Sequence, residues 1–116
     1  MSQEKLAFLG GGNMGRALIG GLLQRGTRPE HIAVGEALEA ARLALAKDFG
    51  VATTADNAAA IEGAGVVVVA VKPQIMDQVF PELATQAGPE TLVLSIAAGK
   101  TIASFEAHLP PGSAVV

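Results

Sequence analysis

The chain has 116 residues of which 50% are apolar, which suits one compact domain of ordinary size. Its net charge of -3 supplies no basic field, so neither nucleic acid nor an anionic membrane surface is an expected partner. With 0 cysteines, disulfides, thiolate metal sites and thiol nucleophiles are excluded, and the 2 histidines show no zinc-site spacing, so no metal is expected.

The opening Met1-Ser2-Gln3-Glu4-Lys5 is polar, unlike a signal peptide or a membrane span, and a cytoplasmic protein is the expectation. Lys5 to Leu9 reads as a short strand, broken at once by Gly10, Gly11 and Gly12. From Asn13, the residues Met14, Leu18 and Leu22 recur at helical spacing beside small Ala17 and Gly21, predicting a helix with that side pressed to a sheet. Arg25-Gly26 closes it with a cation and a glycine stop.

His31 to Gly35 reads as a second strand, and Ala37 to Asp48, rich in alanine and leucine, as a helix ended by Phe49-Gly50. Val51 to Thr53 suits a short third strand. Asp56 to Ile61 suits a helical turn capped by Asp56 or by Thr54. Val66 to Val71 is a β-branched and alanine run with no polar face, the pattern of a central strand covered on both sides.

Ile75, Val79 and Leu83, with Met76 and Phe80, keep helical spacing, and Pro81 is expected to kink that helix or restart it. Thr91 to Ile96 reads as a fifth strand and Thr101 to Leu109 as a short helix with Ile102, Phe105 and Leu109 inward, stopped by Pro110-Pro111-Gly112. Ser113 to Val116 looks like the opening of a sixth strand that is then cut off. This alternation predicts an α/β fold, a doubly wound, mostly parallel, three-layered sheet of the Rossmann type.

Gly10-Gly11-Gly12-Asn13-Met14-Gly15 fits the dinucleotide fingerprint, which alone is weak. Context strengthens it, because a strand precedes, a helix follows, and Glu36 stands about 20 residues on at the end of the second strand. Gly10 permits the tight turn, Gly12 lets the backbone approach a pyrophosphate, and Gly15 lets the helix pack on the sheet. Helix-start amides then face the phosphates.

Glu36 either accepts hydrogen bonds from an adenosine ribose or is a solvated strand end. Facing the ribose it disfavours NADP, since a carboxylate about 4 Å from the extra phosphate costs roughly 1 to 4 kcal/mol per charge pair. Arg42 offsets part of this only if it turns back toward the site. His31 and His108 are expected at the surface or at helix ends.

Four ordered motifs resemble those of pyrroline-5-carboxylate reductases: Phe8-Leu9-Gly10-Gly11-Gly12-Asn13-Met14-Gly15, Thr54-Ala55-Asp56-Asn57, Ala70-Val71-Lys72-Pro73-Gln74 and Ser95-Ile96-Ala97-Ala98-Gly99. The last two are the more specific. The resemblance implies hydride transfer from NAD(P)H, so NADP or NAD as cofactor, to the C=N carbon of 1-pyrroline-5-carboxylate, a small imino acid, giving proline. It implies that Leu9, Gly10, Gly11, Gly12, Asn13, Met14 and Gly15 hold the pyrophosphate and that Asn57 bonds toward the adenosine. Ala70, Val71, Lys72, Pro73, Ala97, Ala98 and Gly99 are then expected around the nicotinamide ribose, beyond the fourth and fifth strands.

The sequence departs from the resemblance in two ways. Gly35-Glu36 stands where many members carry a small polar or basic residue suited to a 2′-phosphate. The family also continues with a Met-Pro-Asn-Thr-Pro stretch and a helical domain that binds substrate and forms the dimer, neither of which is in these 116 residues. Residues 1–116 are accordingly expected to be one cofactor-binding domain that does not reduce substrate, its catalytic residues lying elsewhere and its exposed apolar surface driving self-association. Two rivals share the glycine loop: a β-hydroxyacid-type dehydrogenase, which is not expected to carry both Val-Lys-Pro-Gln and Ala-Ala-Gly, and a nucleotide-sensing module that binds NAD(P) without chemistry.

Overall fold

The computed structural model describes residues 5–10, 12–71, 76–86, 91–95 and 114–115. Six strands, β1 (Lys5–Leu9), β2 (Ile32–Gly35), β3 (Ala52–Thr54), β4 (Ala64–Val69), β5 (Leu92–Ser95) and β6 (Ala114–Val115), form one sheet in the order β3-β2-β1-β4-β5-β6. Every pairing is parallel. Four described helices, α1 (Asn13–Gln24), α2 (Glu39–Phe49), α3 (Asn57–Ile61) and α4 (Met76–Gln86), make connections between strands.

Alternation along the strands divides the core in two. Ala7 and Leu9 of β1, Val67 and Val69 of β4 and Val93 of β5 pack with Ala60 and Ile61 of α3 and with Val79, Phe80 and Leu83 of α4. On the other face, Phe8, Ile32, Val34 and Val68 pack with Ile19 of α1 and Leu45 of α2. Both faces of the central strands are therefore covered, which is why β4 has no polar side. The doubly wound, parallel α/β class expected from the sequence is the one observed.

Several boundaries and faces differ. The inward stripe of α1 is Gly15 and Ile19, with Leu22 and Leu23 packed beside them, whereas Leu18 is 38% exposed and Ala17 and Gly21 lie outside. The reason is steric: Gly15 has no side chain to hold the helix off, so the helix turns that residue to the sheet end. Strand β4 begins two residues earlier than its valine run because Ala64 pairs with Lys5, and it ends at Val69, after which Ala70 donates its N–H to the Leu9 carbonyl at 2.8 Å.

Helix α2 begins at Glu39 rather than Ala37, since Leu38 is extended at φ -86 and ψ 122. It stops at Gly50, which takes the left-handed φ of 72 that favours glycine. Pro81 neither restarts nor ends α4, which runs through it, and the Thr85 hydroxyl bonds the Pro81 carbonyl at 2.9 Å. A single 3-10 turn at Pro29–His31, opened by its proline, precedes β2 and was not read from the sequence. The helix expected at 101–109, including His108, lies outside the described residues.

Candidate functional site

The strand order reverses between β1 and β4, and their carboxyl ends meet there. Such a switch point opens a crevice above the sheet. Leu9, fully buried, ends β1, and Gly10 follows with φ 95 while its N–H donates to the Gly35 carbonyl at 2.8 Å. A Cβ on Gly10 would lie 2.9 Å from the Ala70 carbonyl oxygen and 3.0 Å from the Val71 nitrogen. Gly10 is thus demanded twice by the protein itself, by its backbone angle and by backbone on the next turn.

Gly15 is demanded once, because its Cβ would stand 3.0 Å from the Gly10 carbonyl oxygen. Gly12 differs from both. Its φ of -76 and ψ of -172 suit any residue, and a Cβ built on it meets nothing within 4 Å. Among the described residues no packing reason keeps that position bare, and it is exposed at the mouth of α1.

Gly12 is also the N-cap of α1 and supplies no capping side chain. The first amides of a helix lack intrahelical acceptors, so those of Asn13, Met14 and Gly15 are directed out of the helix start with its partial positive charge. Chemically this is an anion cradle.

The wall at the end of β2 carries Glu36 and Arg42. The Glu36 carboxylate accepts the Leu38 N–H at 2.9 Å, and its backbone N–H bonds the Thr54 carbonyl at 2.9 Å. Arg42 does turn back, placing one guanidinium nitrogen 2.8 Å from the Glu36 carbonyl and 2.9 Å from that of Ala37. An anionic and a cationic group thus share this corner. Leu38, beside them, is 68% exposed.

Asn57 opens α3, whose cap is Asp56: its carboxylate accepts from Ala58 N at 3.0 Å, while Thr54 Oγ1 accepts from Asp56 N at 3.0 Å. Of the two capping residues the sequence offered, Asp56 closes the helix and Thr54 shapes the turn before it. Asn57 lies over Gly35, where a Cβ on that glycine would overlap the Asn57 side-chain oxygen, and its Nδ2 donates to Glu82 of α4 at 3.2 Å. From the sequence Glu82 is most simply a residue of a solvated helix face, and the structure corrects this: it is half-buried against Asn57, and residues 25 apart carry no local signal of such a pairing or of the role of Gly35.

The structure therefore gathers Leu9, Gly10, Gly12, Asn13, Met14, Gly15, Glu36, Asn57, Ala70 and Val71 at the strand ends. Gly11, Lys72, Pro73, Ala97, Ala98 and Gly99 lie outside the described residues. Among the described residues no group of three or more His, Asp or Glu could hold a metal, and no helix is long and apolar enough to cross a membrane.

A parallel sheet wound in this order, with a glycine turn and an uncapped helix start at its switch point, defines a Rossmann-type dinucleotide-binding fold. A family model described as "NADP oxidoreductase coenzyme F420-dependent" matches residues 5–99, and the chain belongs to that family. It is similar to the pyrroline-5-carboxylate reductase of Vibrio alginolyticus, 46% identical over 99 residues that make up 85% of this chain and 36% of the relative. The solved pyrroline-5-carboxylate reductase of Coxiella burnetii superposes with a TM-score of 0.91 at 34% identity, covering 98% of this chain and 43% of that one. The corresponding Plasmodium falciparum enzyme, solved with NADP bound, shares the fold at a TM-score of 0.82 and 23% identity, covering 99% of this chain and 41% of that one. The resemblance carried by the four motifs is borne out, and the chain spans well under half the length of these relatives.

Proposed function

We propose that residues 1–116 form one dinucleotide-binding unit and that it serves a pyrroline-5-carboxylate reductase. The observation that carries this reading is the bare position at Gly12, a glycine that neither its backbone angles nor any described neighbour requires, at the mouth of a helix with no capping side chain. The cradle fits a diphosphate in charge and in the absence of a Cβ.

In this reading Leu9, Gly10, Gly11 and Gly12 with the amides of Asn13, Met14 and Gly15 hold the diphosphate of NADP or NAD. Glu36 and Asn57 face the adenosine ribose. A carboxylate has about four lone-pair sites, so the bond Glu36 accepts from Leu38 does not preclude one from a ribose hydroxyl. Ala70, Val71, Lys72, Pro73, Ala97, Ala98 and Gly99 line the nicotinamide side, where small side chains allow close approach. The nicotinamide, when bound, supplies the hydride for the C=N carbon of 1-pyrroline-5-carboxylate, giving proline.

The residues of this chain bind and orient, and the laced strand ends keep that geometry fixed before any ligand arrives. The chain covers 36% of the Vibrio relative, and we assign the imino-acid contacts, the catalytic groups and the homo-oligomer interface to the remaining length. Calorimetric titration of NADPH and of NADH into the 116-residue chain tests the reading. Heat with either supports it; no heat with both sinks it.

A further inference from the structure

One acceptor at the strand ends is held in place by the fold and left without use by it. Asn57 Nδ2 donates to the Glu82 carboxylate at 3.2 Å, a part-buried contact between the start of α3 and the middle of α4. A carboxylate only accepts, so the nitrogen of the amide must face Glu82 and its oxygen must face the other way, onto Gly35. Among the described residues no side chain donates to that oxygen, and no described polar side-chain atom is both sealed from solvent and without a partner. Asn57 Oδ1 is therefore an acceptor of fixed direction against Gly35 at the end of β2, not fully sealed from solvent and without a donor among the described residues.

We propose that Glu82 is a positioning residue that sets cofactor preference by locking the Asn57 amide with its oxygen toward Gly35 and the end of β2. The proposal rests on the dinucleotide reading above. An oxygen held at that strand end accepts from a ribose hydroxyl and repels a phosphate oxygen, which at neutral pH offers little but lone pairs. An amide released from Glu82 turns freely and presents its NH2 to a phosphate as readily as its oxygen to a hydroxyl. Gly35 is part of the same device, since any side chain there would displace Asn57 from this seat.

The test compares E82L with E82Q in the 116-residue chain. Both remove the charge of Glu82, but the glutamine of E82Q keeps a carbonyl oxygen able to accept from Asn57, so the difference between them isolates orientation from charge. Two quantities are read: the ratio of dissociation constants for NADP and NAD, and the side-chain amide resonances of Asn57, assigned by their loss in N57D. We expect the ratio in E82L to move toward NADP by about threefold to tenfold relative to E82Q, the worth of one hydrogen bond. The Asn57 resonances move in E82L and stay near their wild-type positions in E82Q.

Ratios equal within about twofold in the two variants overturn the proposal, as do unmoved Asn57 resonances in E82L. Equal weakening of both nucleotides in E82L marks a merely structural contact and overturns it too. A wild-type chain that binds neither nucleotide removes the dinucleotide reading and this proposal with it, whereas a binding chain with unchanged ratios removes this proposal alone.

Discussion

Gly10 and Ala70 meet backbone to backbone: a Cβ on the glycine would lie 2.9 Å from the Ala70 carbonyl oxygen. The turns after β1 and β4 are thereby pressed together at the point where the sheet changes direction. Gly10→Ala must both move that oxygen and hold an alanine at φ 95. We expect it to destabilise the chain by at least about 2 kcal/mol, read from the midpoint of urea unfolding. A variant as stable as wild type contradicts the described turn.

Gly12→Ser should do the reverse. Its backbone angles admit a serine, and a hydroxyl there caps the amides of α1 that we assign to the diphosphate. The expected outcome is a stability unchanged or raised by up to about 1 kcal/mol together with nucleotide affinity lowered by tenfold or more. Undiminished binding argues that the anion sits elsewhere.

Glu36→Gln removes the carboxylate from the β2 corner while Arg42 remains tied to the carbonyls of residues 36 and 37. The affinity for NADPH relative to NADH should rise by about tenfold, the scale of one charge pair near a protein surface. Fluorescence titration with both nucleotides measures it, and an unchanged ratio places the 2′-position away from Glu36.

Asp56→Ala deletes the cap of α3, leaving Ala58 N without its 3.0 Å acceptor. A loss of about 1 kcal/mol is expected in thermal unfolding. Because α3 seats Asn57, nucleotide affinity should fall along with it, and Asp56→Asn, which keeps an acceptor oxygen, should recover most of both.

How legible the chain was depended on the range of the interaction. β1, the glycine turn and the alternation of strands and helices follow from local pattern, and the observed sheet carries them. The face of α1 was misjudged because Leu18 and Ile19 are equally apolar, and only the missing side chain at Gly15 decides which one turns inward. Ala64 and Gly65 were left out of β4 because neither favours strands; pairing with Lys5 enlists Ala64 regardless. In the site, the glycines and Glu36 stood out by spacing, whereas the grip of Arg42 on two carbonyls and the contact of Glu82 with Asn57 depend on how α2 and α4 settle on the sheet.

The strand order has a consequence for synthesis. β1 lies between β2 and β4, and its second neighbour is encoded only at residues 64–69. Until that stretch leaves the ribosome, a nascent chain with its first three strands assembled carries β1 as an open edge, a template for pairing with other chains. Chains ended before Ala64 should therefore precipitate at lower concentration than the 116-residue chain, and turbidity of the two distinguishes them.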